Sequence, residues 1–98
     1  MTAVVSRLDT WRLKRAGERL RVLREDLHVT DEQLAQLVSD ADDLEADAAV
    51  DETGRGAVEL LKAHEHVEAV ERHRRYLLES ISAAEAEVDR LLDRRSGR

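Results

Sequence analysis

The stretch from Leu13 to Ala48, LKRAGERLRVLREDLHVTDEQLAQLVSDADDLEADA, decides the fold. Steps of seven from Leu13 meet Leu20, Leu27, Leu34, Ala41 and Ala48, and steps of seven from Ala16 meet Leu23, Thr30, Leu37 and Leu44. Alternating spacings of three and four along one unbroken phase are the signature of a helix that buries a narrow apolar seam. Thr30-Asp31-Glu32-Gln33 has the form of a capping box, in which a hydroxyl and an amide side chain cover free helix N–H groups. A new helix would reset the phase, and the phase runs through Thr30. One helix from about 4 to 51 is therefore expected, with a bend at 28–31 as the competing reading.

Beyond Gly54-Arg55-Gly56 the pattern resumes as Leu60, Val67, Arg74, Ile81 and Val88 beside Ala63, Val70, Leu77, Ala84 and Leu91. This predicts a turn at about 52–56 and a second helix from about 57 to 95. Glycine supplies the positive φ that a tight reversal uses. A turn centred between Arg55 and Gly56 would pair residues whose numbers total 111, so that Ala48 meets Ala63, Leu34 meets Leu77 and Leu20 meets Leu91. The expected fold is all-α: residues 1–98 form a single domain, an antiparallel two-helix coiled-coil hairpin. Arg74, the one charge on the seam, is expected to lay its stem on Leu37 and carry its head to water.

Composition agrees. Of 98 residues 42% are hydrophobic and 39% charged, with one Trp, one Tyr, no Phe, no Pro and no Cys. Such a chain cannot fill an ordinary globular core, form disulfides or offer a thiol nucleophile, and nothing interrupts its helices. No apolar run reaches the roughly 18 residues that span a bilayer, and MTAVVSRLDTW lacks the apolar stretch of a secretory signal. A cytoplasmic chain without a membrane partner is expected.

Two helices share only one line of contact, too little to offset an ordering cost of about 1.5 kcal/mol per residue. Val22, Val38, Leu61, Leu78 and Leu92 lie beside or behind the seam, as does Tyr76. They widen the apolar stripe toward the three positions per heptad that bundles use, so the hairpin is expected to form a homodimer, a four-helix bundle. Val4, Val5, Leu8 and Trp11 follow a helical spacing out of phase with the seam and read as a further dimer contact. Val4, Leu8, Trp11, Val22, Val38, Leu61, Leu78 and Leu92 are thus the candidate interaction residues.

Charge is divided along the chain. Residues 30–53 carry nine acids and no Lys or Arg, and residues 54–71 add four Glu against Arg55 and Lys62, whereas the two terminal segments are net basic. Two such rods attract when laid antiparallel, and the acidic turn end suits a basic protein surface. Arg7, Arg12, Lys14, Arg15, Arg19, Arg21 and Arg24 could touch phosphates at the termini end, yet a net charge of −6 and the scarcity of aromatics argue against nucleic acid as the main partner. His64, His66 and His73 are expected to face Glu45, Asp47 and Asp40, a pairing that would raise their pKa values and favour folding at lower pH. The spacing of His and acids matches neither HExxH nor the Glu-x-x-His of di-iron bundles, so no metal site, no cofactor and no catalytic residues are expected.

Three resemblances bear on function. Leu23-Arg24-x-x-Leu27 followed by Asp31-x-x-Leu34-x-x-Leu37 is similar to the first-helix pattern of the small all-helical chorismate mutases. That likeness implies further Arg and Lys along the helix to hold a dicarboxylate, and Ser39 to Asp51 is acidic instead, which removes the substrate-binding logic. The small secreted WXG hairpins have similar length, two helices and no Cys. Here the turn reads Glu52-Thr53-Gly54-Arg55-Gly56 without Trp-x-Gly, and Ser80 stands where an acid would follow Tyr76. The run VTDEQLAQLVSDADDLEADAAV and its sequel HEHVEAVERHRRYL resemble uncharacterised helical proteins of high-GC actinobacteria, as does the preference for 14 Arg over 2 Lys. This last resemblance implies a cytoplasmic bacterial origin. A noncatalytic coiled-coil interaction or assembly module is the expected function, with a nucleic-acid-associated protein or a WXG-like hairpin as alternatives.

Overall fold

In the computed structural model, residues 2–95 are described, with side chains from Arg7 to Arg94. The chain forms two long helices, α1 over Thr2–Val50 and α2 over Arg55–Arg95, with no strand among the described residues. It is a helical hairpin, and α1 passes through Thr30 as one helix. Thr30 is buried at the seam. A capping sequence in mid-helix is thus overridden by the apolar phase on either side of it.

Two compact units divide the chain: one pairs the segment up to Leu27 with the segment from Leu77 onward, and the other is His28–Tyr76. In the first unit Leu20, Leu23, Leu77, Ile81 and Ala84 form the core, flanked by half-buried Leu27 and Val88. Leu77 is the most enclosed large side chain, at 2% exposure. In the second unit Ala41 and Val70 are buried, and Leu34, Leu37, Leu44, Ala48, Leu60, Ala63 and Val67 are half-buried. The seam therefore carries the burial in each unit, as the heptad spacing requires.

The register differs from the expected one. In the first unit Asp9 meets Arg94, and in the second Asp31 meets Arg74 and Ala48 lies against Gly56. Their numbers total 103, 105 and 104, six to eight below the expected 111 and centred one heptad away. Arg24 and Glu85, two long side chains on the flank, reach diagonally between layers. Leu20 and Leu23, expected opposite Leu91 and Val88, cluster instead with Leu77, Ile81 and Ala84. A shift of one heptad keeps every apolar position on the seam, so the hydrophobic pattern alone does not select between the two alignments.

The turn selects. It lies at 51–54, earlier than expected, because Asp51 and Thr53 start α2 at Arg55. The Asp51 carboxylate accepts from the Thr53 hydroxyl at 2.7 Å, the Thr53 N–H at 2.9 Å and the Gly56 N–H at 2.7 Å. Thr53 Oγ1 in turn accepts from the Arg55 N–H at 3.3 Å. Two free N–H groups of the first turn of α2 are thereby covered. Only Gly54 has positive φ, at 82°. Gly56 serves a different purpose, packing so closely against the Ala48 backbone that a Cβ there would require its neighbours to shift.

Candidate interaction surface

Arg12, Arg15 and Arg19 of α1 recur at i, i+3 and i+7, which on a helix places them along one flank beside seam residue Ala16. In the first unit this flank borders a half-open groove of about 600 Å³, lined by the three arginines, Trp11 and Ala16 on one side and by Ser80, Ala83, Ala84 and Glu87 on the other. Small residues floor the groove and guanidinium groups wall it. Arg15 lies 5.4 Å from the centre of the Trp11 ring, a cation–π contact that holds both side chains at the rim. Among the described residues no carboxylate pairs with Arg12, Arg15 or Arg19, and Glu87 is engaged by Arg90. The groove is consequently a region of uncompensated positive charge.

Of the predicted interaction residues, Leu8, Trp11, Val22, Leu78 and Leu92 are exposed in the first unit and Val38 and Leu61 in the second. Val4 lies outside the residues whose side chains are described. The groove brings only Trp11 of this set together with the arginines. Sequence reasoning passed over Val29, Val50 and Val58, each more than half exposed. Their signal was available, since Val22, Val29 and Val50 share one heptad position with Leu8.

Asp9 was also missed. It is 4% exposed, and stepping back seven from Ala16 would have placed it on the seam. Arg94 Nη2 stands 3.2 Å from its Oδ1, close enough for an ion pair but without hydrogen-bond geometry. Arg74, expected to lay its stem on Leu37 and carry its head to water, directs its head to Asp31, with Nε donating at 2.6 Å.

The expected facing of His64, His66 and His73 onto acids is not present: among the described residues the only His–carboxylate pair is His28 with Glu32, at 2.9 Å on the surface of α1. His73 instead stacks on Tyr76, ring centres 6.2 Å apart. The register shift moves the expected acids a heptad away from these histidines. Asp51 is held below its ordinary acidity range, by the Thr53 hydroxyl first and then by the Thr53 and Gly56 N–H groups. No group of three or more His, Asp or Glu side chains comes together among the described residues, and no helix there is long and apolar enough to cross a membrane.

Comparison of the chain with known protein families, curated proteins and solved structures gives no match.

Proposed function

We propose that the protein is a noncatalytic interaction or assembly module: an antiparallel two-helix coiled coil that dimerises into a four-helix bundle in the bacterial cytoplasm. One observation carries this reading. Among the described residues eleven large hydrophobic side chains are exposed, against six that are buried and eight that are half-buried. Scattered exposed leucines are ordinary, but a chain that leaves nearly half of its large apolar side chains exposed gains by covering them with another molecule. The acidic segment 30–53 favours a basic surface as the partner. Native mass measurement at micromolar concentration tests the assembly: a species of twice 11.1 kDa supports it, and a monodisperse monomer refutes it.

A second reading is favoured by the groove itself. Trp11 beside Arg12, Arg15 and Arg19 combines a stacking ring with positive charge, the two elements of single-stranded nucleic-acid binding. Retention on single-stranded DNA that is lost with added salt would favour it.

A further inference from the structure

The arginine flank has a counterpart of identical spacing on the same helix. Asp40, Asp43 and Asp47 recur at i, i+3 and i+7, as Arg12, Arg15 and Arg19 do. All six are exposed. Among the described residues none has an ion-pair partner; Asp40 only accepts from Gln36, at 2.9 Å, and Arg15 only rests on Trp11. Two charge ladders of opposite sign, matched in pitch and unsatisfied within the chain, stand on the same two neighbouring heptad columns on one side of the seam.

We infer that these ladders pair between two copies, and that the occupant of the Trp11–Arg19 groove is the segment Asp40–Asp47 of a second copy of this chain. The inference rests on the assembly reading above and names its surface. The pattern is self-complementary under reversal, which a two-fold interface requires. When two α1 helices run antiparallel with residues totalling 58 or 59 opposed, Arg12 meets Asp47 of the second copy, Arg15 meets Asp43 and Arg19 meets Asp40, and each pair occurs twice. The same alignment sets exposed Val29 against Val29 of the second copy at the two-fold axis and Leu8 against Val50 at either end. No like charges fall opposite one another in these columns, since Asp26 meets Gln33 and Val22 meets Gln36. The alanine floor of Ala16, Ala83 and Ala84 lets the incoming helix approach closely.

Charge exchange on the full chain tests this. Sedimentation at about 50 mM salt should show a dimer that weakens as salt rises. The triple variant Arg12→Glu, Arg15→Glu, Arg19→Glu and the triple variant Asp40→Lys, Asp43→Lys, Asp47→Lys should each raise the dimer Kd about a hundredfold or more, because each sets like charges face to face. Mixed together, the two variants should form a heterodimer as tight as the original, with Trp11 fluorescence changing on mixing. Circular dichroism checks that both remain helical; if a reversal unfolds the chain, the corresponding alanine triples should still weaken dimerisation about tenfold. A dimer indifferent to all these changes overturns the ladder pairing and leaves the assembly reading intact, as does a mixture that stays monomeric. A wild-type chain that is monomeric at about 100 μM refutes both. A monomer whose Trp11 responds to oligonucleotide makes the groove a nucleic-acid site instead.

Discussion

Gly56 sits so close to Ala48 that a Cβ added to it would come within 3.0 Å of the Ala48 Cα and of an Asp51 carboxylate oxygen. Backbone cannot yield as a flexible side chain can, so Gly56→Ala should push the start of α2 away from the end of α1 and lower Tm. Gly54→Ala should destabilise for another reason, by about 1 kcal/mol, because a Cβ is strained at φ 82° although nothing crowds it. Thermal melts of the two variants, with a crystal structure of the Gly56 variant to detect the displaced turn, check both.

The Asp51 carboxylate is held below its ordinary pKa of 3.8 in the folded chain by three hydrogen bonds. A depressed folded-state pKa contributes stability that is complete above the unfolded value and disappears as pH falls through the folded one. Asp51→Ala should therefore melt several degrees below wild type near neutral pH, and the gap should close on acidification below pH 3.8. Parallel melts of both proteins across this range decide it; a gap that stays constant down to acid pH contradicts the hydrogen-bonded carboxylate as its source.

Leu77 is the most enclosed side chain of the first unit's core. Leu77→Ala should cost about 2–5 kcal/mol, from lost apolar transfer and the space left among Leu20, Leu23 and Ile81. Leu61→Ala, at an exposed position of the second unit, should leave the monomer's stability nearly unchanged. Urea unfolding of the two variants gives the contrast.

Removing Arg94 leaves the Asp9 carboxylate buried without its cation. Arg94→Ala should cost about 1 kcal/mol, since half of the Arg94 side chain is solvated. Asp9→Leu should raise Tm by replacing a polar seam residue with an apolar one. A double-mutant cycle on Asp9 and Arg94 isolates the pair, and a coupling energy near zero would remove its role.

The helical fold was plain in the sequence because heptad spacing reports burial directly: Leu13, Leu20, Leu27, Leu34 and Ala41, with Ala16, Leu23, Thr30 and Leu37 of the second series, are all buried or half-buried, while the residues off the two series face water. Register was not legible from apolar residues, since a slip of seven exchanges one aliphatic seam residue for another, as when Leu23 passes from Val88 to Ile81. It was legible in the polar seam residues, which the apolar reading ignored. At a total of 111 Asp9 would be parted from Arg94 and Arg74 would face Leu37, whereas the observed alignment gives Asp9 Arg94 and Arg74 Asp31. Asp51-x-Thr53-Gly54 likewise marked the turn through its hydrogen-bonding capacity, where attention to glycine alone placed the reversal too late. The candidate interaction residues were found by their distance from the seam, but the arginine groove was not, because its walls come from segments nearly seventy residues apart.

The seam's buried aspartate also bears on how the hairpin could move. A repeat of seven makes two sliding rods a ratchet whose neighbouring notches are almost equal in apolar contact. Asp9 with its arginine supplies the tooth: sliding one notch in either direction would part the acid from its counter-ion. Neutralising that single tooth leaves the turn and the Arg74–Asp31 pair to hold the alignment alone.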